Sequence, residues 1–109
     1  MNKKSVSIYI PAFNAEKTIR KSLTSIKNQS YQFDEIIVIN DNSDDFTSDI
    51  VKEFKDVNII NNTENKGLGY NRNLGVKNSS HKIIASIDAD VVLEKNWLEV
   101  MMQNFEQSE

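Results

Sequence analysis

Apolar residues recur along this chain with two different spacings. Short apolar or alternating runs bounded by turn-forming residues are typical of β-strands, and they occur at four places. The first of these runs is expected to end at Pro11. The predicted strands cover residues 6–10, 35–39, 57–60 and 83–87.

Each predicted strand is followed by a segment in which apolar residues recur at helical spacing. The first helix is expected to be capped by Asn14, and Gly67 and Gly69 open a less regular third helix. The apolar stripes of the four helices are, in order, Ile19, Leu23 and Ile26; Phe46, Ile50, Val51 and Phe54; Leu68, Tyr70 and Leu74; and Trp97, Leu98, Met101, Met102 and Phe105.

This alternation of strands and helices predicts an α/β fold with a mainly parallel sheet and helices on both faces. The nearly continuous apolar run 35–39 is typical of a central strand covered on both sides. With 109 residues, the chain has the length of one domain, spanning 1–109. Ligands of such sheets bind at the carboxyl ends of the strands, so candidate sites are expected in the loops there.

Composition and charge narrow the classes of partner. Hydrophobic residues make up 39% of the chain and charged residues 27%, as in ordinary globular proteins. The net charge of -3 is spread along the sequence without a basic stripe, which argues against nucleic acid as a partner. Without cysteine, a metal site must use oxygen ligands or the single His81. His81 precedes the fourth strand, opposite the expected site, so a structural role is favoured.

The first residues loosely imitate a secretory signal, because Lys3 and Lys4 precede an apolar run. Polar residues alternate with the apolar ones in that run, however, and Pro11 interrupts it. The sequence therefore favours a cytoplasmic location, and membrane attachment through other segments of a longer protein stays open.

Three polar clusters follow predicted strands, at 11–14, 40–45 and 88–90. Parallel strand ends could bring them to one crevice. Asp88 and Asp90 are separated by one residue and suit a hard divalent cation, Mg²⁺ or Mn²⁺, that bridges a diphosphate. Two solvated turn aspartates are an equally good interpretation of the same residues.

Asp41 and Arg72 each have two interpretations. Asp41 either caps a turn or accepts a hydrogen bond from a ring N–H of a nucleobase. Arg72 follows Gly67 and Gly69, where it either meets a phosphate or is a solvated helix charge. These glycines lack the third glycine and the position of a dinucleotide fingerprint, which argues against a nicotinamide cofactor.

The order of these segments resembles the family 2 glycosyltransferases, which are inverting enzymes of the GT-A fold. Residues 7–14 resemble the family's first strand and Pro-x-Tyr-Asn turn, with Phe13 in place of tyrosine. Residues 35–45 resemble its second signature, although Asn40 and Asn42 replace an aspartate and a glycine. Residues 65–75 are similar to its third segment, and 88–90 to its metal-binding Asp-x-Asp.

The resemblance implies a Rossmann-like GT-A fold and transfer of a sugar from a UDP- or GDP-linked donor, with Mn²⁺ or Mg²⁺, to a hydroxyl of a saccharide or lipid acceptor. It assigns site roles by position. Pro11, Ala12, Phe13 and Asn14 belong to the nucleotide pocket, Asp41 pairs with the base, Arg72 approaches the diphosphate, and Asp88 and Asp90 address ribose and metal.

In this family the general base is a carboxylate well downstream of the Asp-x-Asp. The acids after Asp90 are unconvincing as that base, because they lie in or beside the last predicted helix: Glu94, Glu99, Glu106 and Glu109. The chain is therefore expected to be the donor-binding half of an enzyme, without the acceptor-binding part and with little or no transfer activity alone. Uncovered apolar surface near the last helix predicts self-association.

Two other enzyme classes fit this sequence less well. A sugar nucleotidyltransferase needs a glycine-rich basic loop after its first strand, and a haloacid-dehalogenase-type phosphatase needs its Asp-x-Asp there; this chain has neither. A non-catalytic nucleotide-sugar-binding or interaction module remains the alternative.

Overall fold

Within residues 3–108, which the computed structural model describes, four strands alternate with four helices. The strands are β1 (Val6–Ala12), β2 (Glu35–Asn40), β3 (Val57–Asn61) and β4 (Ile83–Ser86). The helices are α1 (Ile19–Lys27), α2 (Thr47–Lys52), α3 (Leu68–Asn78) and α4 (Trp97–Ser108).

The four strands form one sheet in the order β3-β2-β1-β4, and every neighbouring pair is parallel. Ile8 is paired with Ile36 on one side and with Ala85 on the other, which places β1 in the interior of the sheet. Parallel pairing directs the carboxyl ends of all four strands to one edge. The predicted parallel α/β fold is therefore confirmed.

Apolar side chains cover both faces of the sheet. Ile8 and Ile10 belong to a core on the face of α1, where Leu23 is fully buried. Tyr9 and Ile37 lie on the opposite face with Leu74 of α3. Burying such a side chain contributes about 1.5–3 kcal/mol relative to leaving it exposed, so these two layers hold the strand ends in place.

The end of β1 differs from the sequence-based expectation, because the strand continues through Pro11 to Ala12. The carbonyl of Ala12 accepts a hydrogen bond from the Asp41 N–H, so this position faces β2. Backbone polar groups alternate along a strand, and the nitrogen of Pro11 therefore faces β4. The pairing with β4 ends earlier, at Tyr9, and Pro11 consequently removes no ladder hydrogen bond.

Asn14 is not the cap of α1, and that prediction is wrong. The helix begins at Ile19, and Thr18 occupies the capping position without a side-chain hydrogen bond. Asn14 instead adopts a φ of 48°, in the left-handed region that asparagine tolerates better than most residues. Its side chain serves the neighbouring loop, as described below.

Two predicted helical stripes are only partly buried. Phe46 precedes α2 and is exposed, whereas Val51 of the same stripe is fully buried. In α3, Leu68 and Tyr70 are also exposed, and the buried positions are Asn71 and Gly75. Helical spacing identifies a face, but only packing decides which of its residues meet the sheet.

The last helix packs by a narrower stripe than predicted. Leu98 and Met102 are buried against Val6, while Met101 and Phe105 are exposed. No helix among residues 3–108 has the length and apolar character needed to cross a membrane.

Candidate functional site

The loops at the carboxyl ends of β1 and β2 are tied to each other. The N–H of Asn14 donates to Ser43 Oγ at 2.9 Å, and the N–H of Asp44 donates to Asn14 Oδ1 at 3.0 Å. Between the strand end and this pair of hydrogen bonds, Phe13 projects with 54% of its surface exposed. Ala12 is buried, so of the predicted pocket residues Phe13 presents a ring to solvent at this edge.

A second pair of contacts holds the start of α2 beside the approach to α1. Asp45 Oδ1 accepts hydrogen bonds from the N–H and the hydroxyl of Thr47, and Asp45 Oδ2 accepts one from the Glu16 N–H. Burial alone would raise the pKa of the Asp45 carboxyl, but these hydrogen bonds outweigh it and lower the pKa. The role of Asp45 is therefore to stabilise the conformation of the loop.

Asp41 lies at the end of β2 and is 7% exposed. Its Oδ1 accepts hydrogen bonds from Asn62 Nδ2 at 2.9 Å and from the Lys66 N–H at 2.8 Å. Its Oδ2 accepts one from the Gly67 N–H at 3.2 Å. The carboxylate therefore joins the end of β2 to the loop that leads into α3.

These contacts also fix the charge of Asp41. Burial by itself would raise the pKa of this carboxyl. Hydrogen bonds from the Asn62 side chain and from the N–H groups of Lys66 and Gly67 favour the charged form more strongly, so the pKa lies below its ordinary value. Oδ2 accepts a single hydrogen bond within the described residues, and it keeps capacity for another donor.

A group of asparagines supports Asp41, and the sequence-based prediction missed it. Asn62 donates both to Asp41 and to Asn71 Oδ1, and Asn71 is buried in α3. Asn40 Nδ2 donates to Asn61 Oδ1 at 2.9 Å, a bond that an ionised aspartate at position 40 could not donate. The available signal was the density of asparagines directly after the second and third strands.

A crevice of about 560 Å³ lies at the carboxyl end of β4. It is lined by Tyr9, Arg72, Ser86, Ile87, Asp88 and Val91. Of the predicted site residues, it brings together Arg72 from α3 and Asp88 from the loop after β4. Asp41 and Asp90 do not line it, so the structure does not gather all predicted residues into one cavity.

The Asp-x-Asp segment forms a turn in which the Val91 N–H donates to the Asp88 carbonyl. Ala89 is buried in the core between two exposed aspartates. Within residues 3–108, the carboxylates of Asp88 and Asp90 accept no hydrogen bond and make no ion pair. The core therefore anchors the turn through Ala89 and leaves both carboxylates available.

Asp88 and Asp90 are the candidate ligands for a divalent cation. Among the described residues, no group of three or more Asp, Glu or His side chains could hold a metal ion. Mg²⁺ and Mn²⁺ are nevertheless commonly held by one or two carboxylates, with water and phosphate oxygens as the other ligands. Asp88 and Asp90 fit a cation that arrives with a phosphate ligand rather than a site built by the protein alone.

At the opposite end of the sheet, His81 lies beside Ser7 and Glu35. His81 Nδ1 is 2.9 Å from Ser7 Oγ, which is 2.7 Å from Glu35 Oε1. Burial would raise the pKa of the Glu35 carboxyl, but hydrogen bonds from Ser80 and Ser7 lower it. His81 therefore lies away from the strand ends that carry the candidate site, as predicted.

A more apolar cavity of about 590 Å³ lies between β4 and α4. Its lining includes Ile83, Ala85, Trp97, Met101 and Phe105. Since β4 is an edge strand, one side of its backbone has no ladder partner among the described residues. This surface lacks the convergent charged groups of the crevice and is not a candidate active site.

Sequence comparisons agree with the residues that carry the earlier resemblance. Residues 7–109 match the family described as Glycosyl transferase family 2. An uncharacterized glycosyltransferase of Haemophilus influenzae is 39% identical over 108 residues, covering 95% of this chain and 33% of that protein. The UDP-Glc:alpha-D-GlcNAc-diphosphoundecaprenol beta-1,3-glucosyltransferase WfgD of Escherichia coli is 37% identical over 99 residues, covering 89% of this chain and 39% of that protein.

The fold is also similar to that of a solved structure. The crystal structure of TarS residues 1–349 from S. aureus, in complex with UDP-GlcNAc, superposes with a TM-score of 0.87 and 25% sequence identity. The match covers 94% of this chain and 31% of that one. The chain thus spans about a third of the length of the proteins it resembles.

Proposed function

Because the chain belongs to glycosyl transferase family 2, we propose that it is the donor-binding half of an inverting glycosyltransferase and binds a nucleoside diphosphate sugar at the carboxyl edge of its sheet. The observation that carries this proposal is the state of three charged groups there. Arg72, Asp88 and Asp90 have no polar partner within residues 3–108, whereas Asp41 and Asp45 are hydrogen-bonded.

A uridine nucleotide is the favoured donor carrier. WfgD is named for a UDP-Glc donor, and TarS was solved with UDP-GlcNAc. Position-by-position roles follow the family resemblance. We assign the base to the surface around Phe13, with Pro11 and Ala12 beneath it. A ring N–H of the base would donate a hydrogen bond to Asp41 Oδ2, which has room for a second donor.

Charged groups elsewhere at this edge would bind the diphosphate and lie near the ribose of the donor. Arg72 supplies a cation for the diphosphate, and Asp88 and Asp90 would hold Mg²⁺ or Mn²⁺ with the ribose nearby. When bound, such a cation neutralises charge on the departing nucleoside diphosphate. The protein's own part is to present two carboxylates on a turn that Ala89 fixes to the core.

Sugar transfer by the 109-residue chain alone is expected to be very slow or absent. Inversion needs a base behind the sugar, and Glu94, Glu99 and Glu106 lie in or beside α4, away from the crevice lining. Glu109 lies outside the described residues. Transfer to a saccharide or lipid acceptor is accordingly proposed only for a protein that also supplies an acceptor-binding part and a general base. Turnover by this chain at rates typical of enzymes, dependent on Asp90, would contradict this division of labour.

Calorimetric titration with UDP and GDP, with and without Mn²⁺, tests the donor site. We expect UDP to bind more tightly than GDP, and the Asp90→Ala variant to lose about tenfold or more in affinity for UDP with Mn²⁺. Asp49→Ala is a matched control, because Asp49 is an exposed acid on α2 with the same charge. If both variants weaken UDP binding equally, the change in net charge alone explains the effect.

The alternative is a non-catalytic module that binds nucleotide sugars. It predicts the same binding but no transfer to any acceptor, even when an acceptor-binding part is present in the same protein. Detection of transfer that is lost on Asp90→Ala would exclude this alternative.

We also propose that the chain on its own self-associates through the apolar surface of β4 and α4. The exposed Met101 and Phe105, together with the open edge of β4, support this proposal. Sedimentation velocity is expected to show species larger than a monomer at high concentration, and a cleanly monomeric profile would contradict it.

A further inference from the structure

The hydroxyl of Tyr9 is the unusual polar group of the sheet. Tyr9 lies in the interior strand β1 and is 7% exposed. Its hydroxyl makes no hydrogen bond within residues 3–108. By contrast, Tyr31 uses its hydroxyl to accept from the Lys4 N–H at 2.9 Å and to donate to the Lys4 carbonyl at 2.8 Å.

The hydroxyl of Tyr9 retains access to solvent. Ser22 Oγ is the one fully buried side-chain oxygen or nitrogen without a partner in the described part of the chain, so Tyr9 Oη is not sealed off. Tyr9 lines the crevice together with Arg72 and Asp88. The contact of Tyr9 with this cavity and the solvent access of its Oη favour an orientation of the hydroxyl toward the crevice.

The ring that carries the hydroxyl is held firmly in place. A Cβ added at Gly75 of α3 would overlap the Tyr9 ring, which shows how closely the helix backbone approaches it. Ile37, Ile39 and Leu74 complete the packing around the ring. The hydroxyl is therefore positioned before any ligand arrives and needs no reordering to bind one.

The lining of the crevice indicates what it accepts. Arg72 offers hydrogen-bond donors, Asp88 offers acceptors, and Tyr9 and Ser86 offer hydroxyls. Arg72 is assigned to the diphosphate, which leaves Asp88 and the two hydroxyls for a neighbouring neutral group. The sugar of the nucleoside carries adjacent hydroxyls that can both donate to Asp88 and accept from Tyr9 or Ser86.

We propose that the Tyr9 hydroxyl is a specificity-determining group that donates a hydrogen bond to the nucleoside part of the donor. The proposal rests on the proposed function, because it requires a nucleotide at this edge of the sheet. Tyr9 would act in binding and orientation, and no chemical step is assigned to it.

Tyr9→Phe removes the hydroxyl and leaves the ring against Gly75. Since the hydroxyl has no hydrogen-bond partner among residues 3–108, we expect the midpoint of thermal unfolding to be unchanged. Affinity for UDP, measured by calorimetry, should fall by about threefold to tenfold, the range for loss of one hydrogen bond. Tyr31→Phe is the matched control: it should lower the unfolding midpoint, because Lys4 loses both contacts, and leave UDP affinity unchanged.

Titration with UMP distinguishes the two ends of the nucleotide. The same relative loss for UMP and UDP on Tyr9→Phe is expected if the hydroxyl contacts the nucleoside. A loss seen with UDP but not with UMP would overturn the nucleoside assignment in favour of the terminal phosphate.

Failure of this inference and failure of the proposed function give different results. If the unaltered chain binds UDP and Tyr9→Phe binds it equally well, the Tyr9 inference is wrong while the donor site stands. If the unaltered chain binds neither UMP, UDP nor GDP at millimolar concentration, the proposed function itself fails.

Discussion

Two acidic regions at the same edge of the sheet are used in opposite ways. Asp41, after β2, is buried and accepts three hydrogen bonds from the loop before α3. Asp88 and Asp90, after β4, are exposed and accept none within the described residues. The comparison shows that an acid at a strand end can either stabilise the site through hydrogen bonds or remain available to a ligand. Only its surroundings distinguish these two roles.

The largest expected effect separates these two roles by stability. Asp41→Ala leaves the N–H groups of Lys66 and Gly67 and the amide of Asn62 without their acceptor, so the free energy of unfolding should fall by about 2–4 kcal/mol. Asp88→Ala, at an exposed position, should change it by less than about 0.5 kcal/mol. Urea denaturation of both variants checks this. Equal losses would erase the distinction between the two regions.

The next effect concerns the ring beneath the crevice. Gly75→Ala puts a methyl group into the Tyr9 ring, and such overpacking costs about 1–3 kcal/mol. Gly69→Ala lies in the same helix with nothing within 4 Å of the added carbon, and it should stabilise by roughly 0.5–1 kcal/mol through helix propensity. Thermal unfolding with a denaturant series gives both values. Stabilisation by both substitutions would show that α3 and β1 can shift apart at little cost in free energy.

The smallest effect is the part of the pH dependence of stability that arises from Asp41. The pKa of Asp41 is lowered in the folded chain from 3.8, so its stabilising contribution is complete above 3.8 and is lost as the pH falls through the lower folded value. Asp41→Asn removes this titration. The difference in unfolding free energy between the unaltered chain and Asp41→Asn should therefore shrink as the pH falls from 7 to below about 3.

A stability difference between Asp41→Asn and the unaltered chain that stays constant over this interval would contradict the role assigned to Asp41.

The fold could be predicted well from the sequence because its signals are local. The run 35–39 becomes the buried strand β2, and the spacing of Ile19, Leu23 and Ile26 becomes the buried face of α1. The predictions were wrong where a side chain bonds to a distant part of the chain instead of to its own segment. Asn14 is a good helix cap by type, but its side chain bonds to the Asp44 N–H, which is 30 residues away.

The sequence predicted where the candidate site lies, but not which of its side chains are hydrogen-bonded and which are available. The sequence placed Asp41, Asp88 and Asp90 after strands and Arg72 in the third helix, and the structure brings Arg72 and Asp88 to one crevice. It did not indicate Tyr9, whose residue type is ordinary in a strand. Nor did it identify the supporting role of Asn62 and Asn71, because that role depends on contacts between separate elements.

By itself, the sequence determined the order of strands and helices, the parallel sheet and the edge at which polar residues collect, because hydrophobic periodicity and strand direction are carried by neighbouring residues. The tertiary structure decided which carboxylates are satisfied and which are available. That decision depends on hydrogen bonds across long separations, such as the 25 residues between Asp41 and Lys66, and on the close approach of Gly75 to Tyr9. Such contacts exist only once the chain has packed.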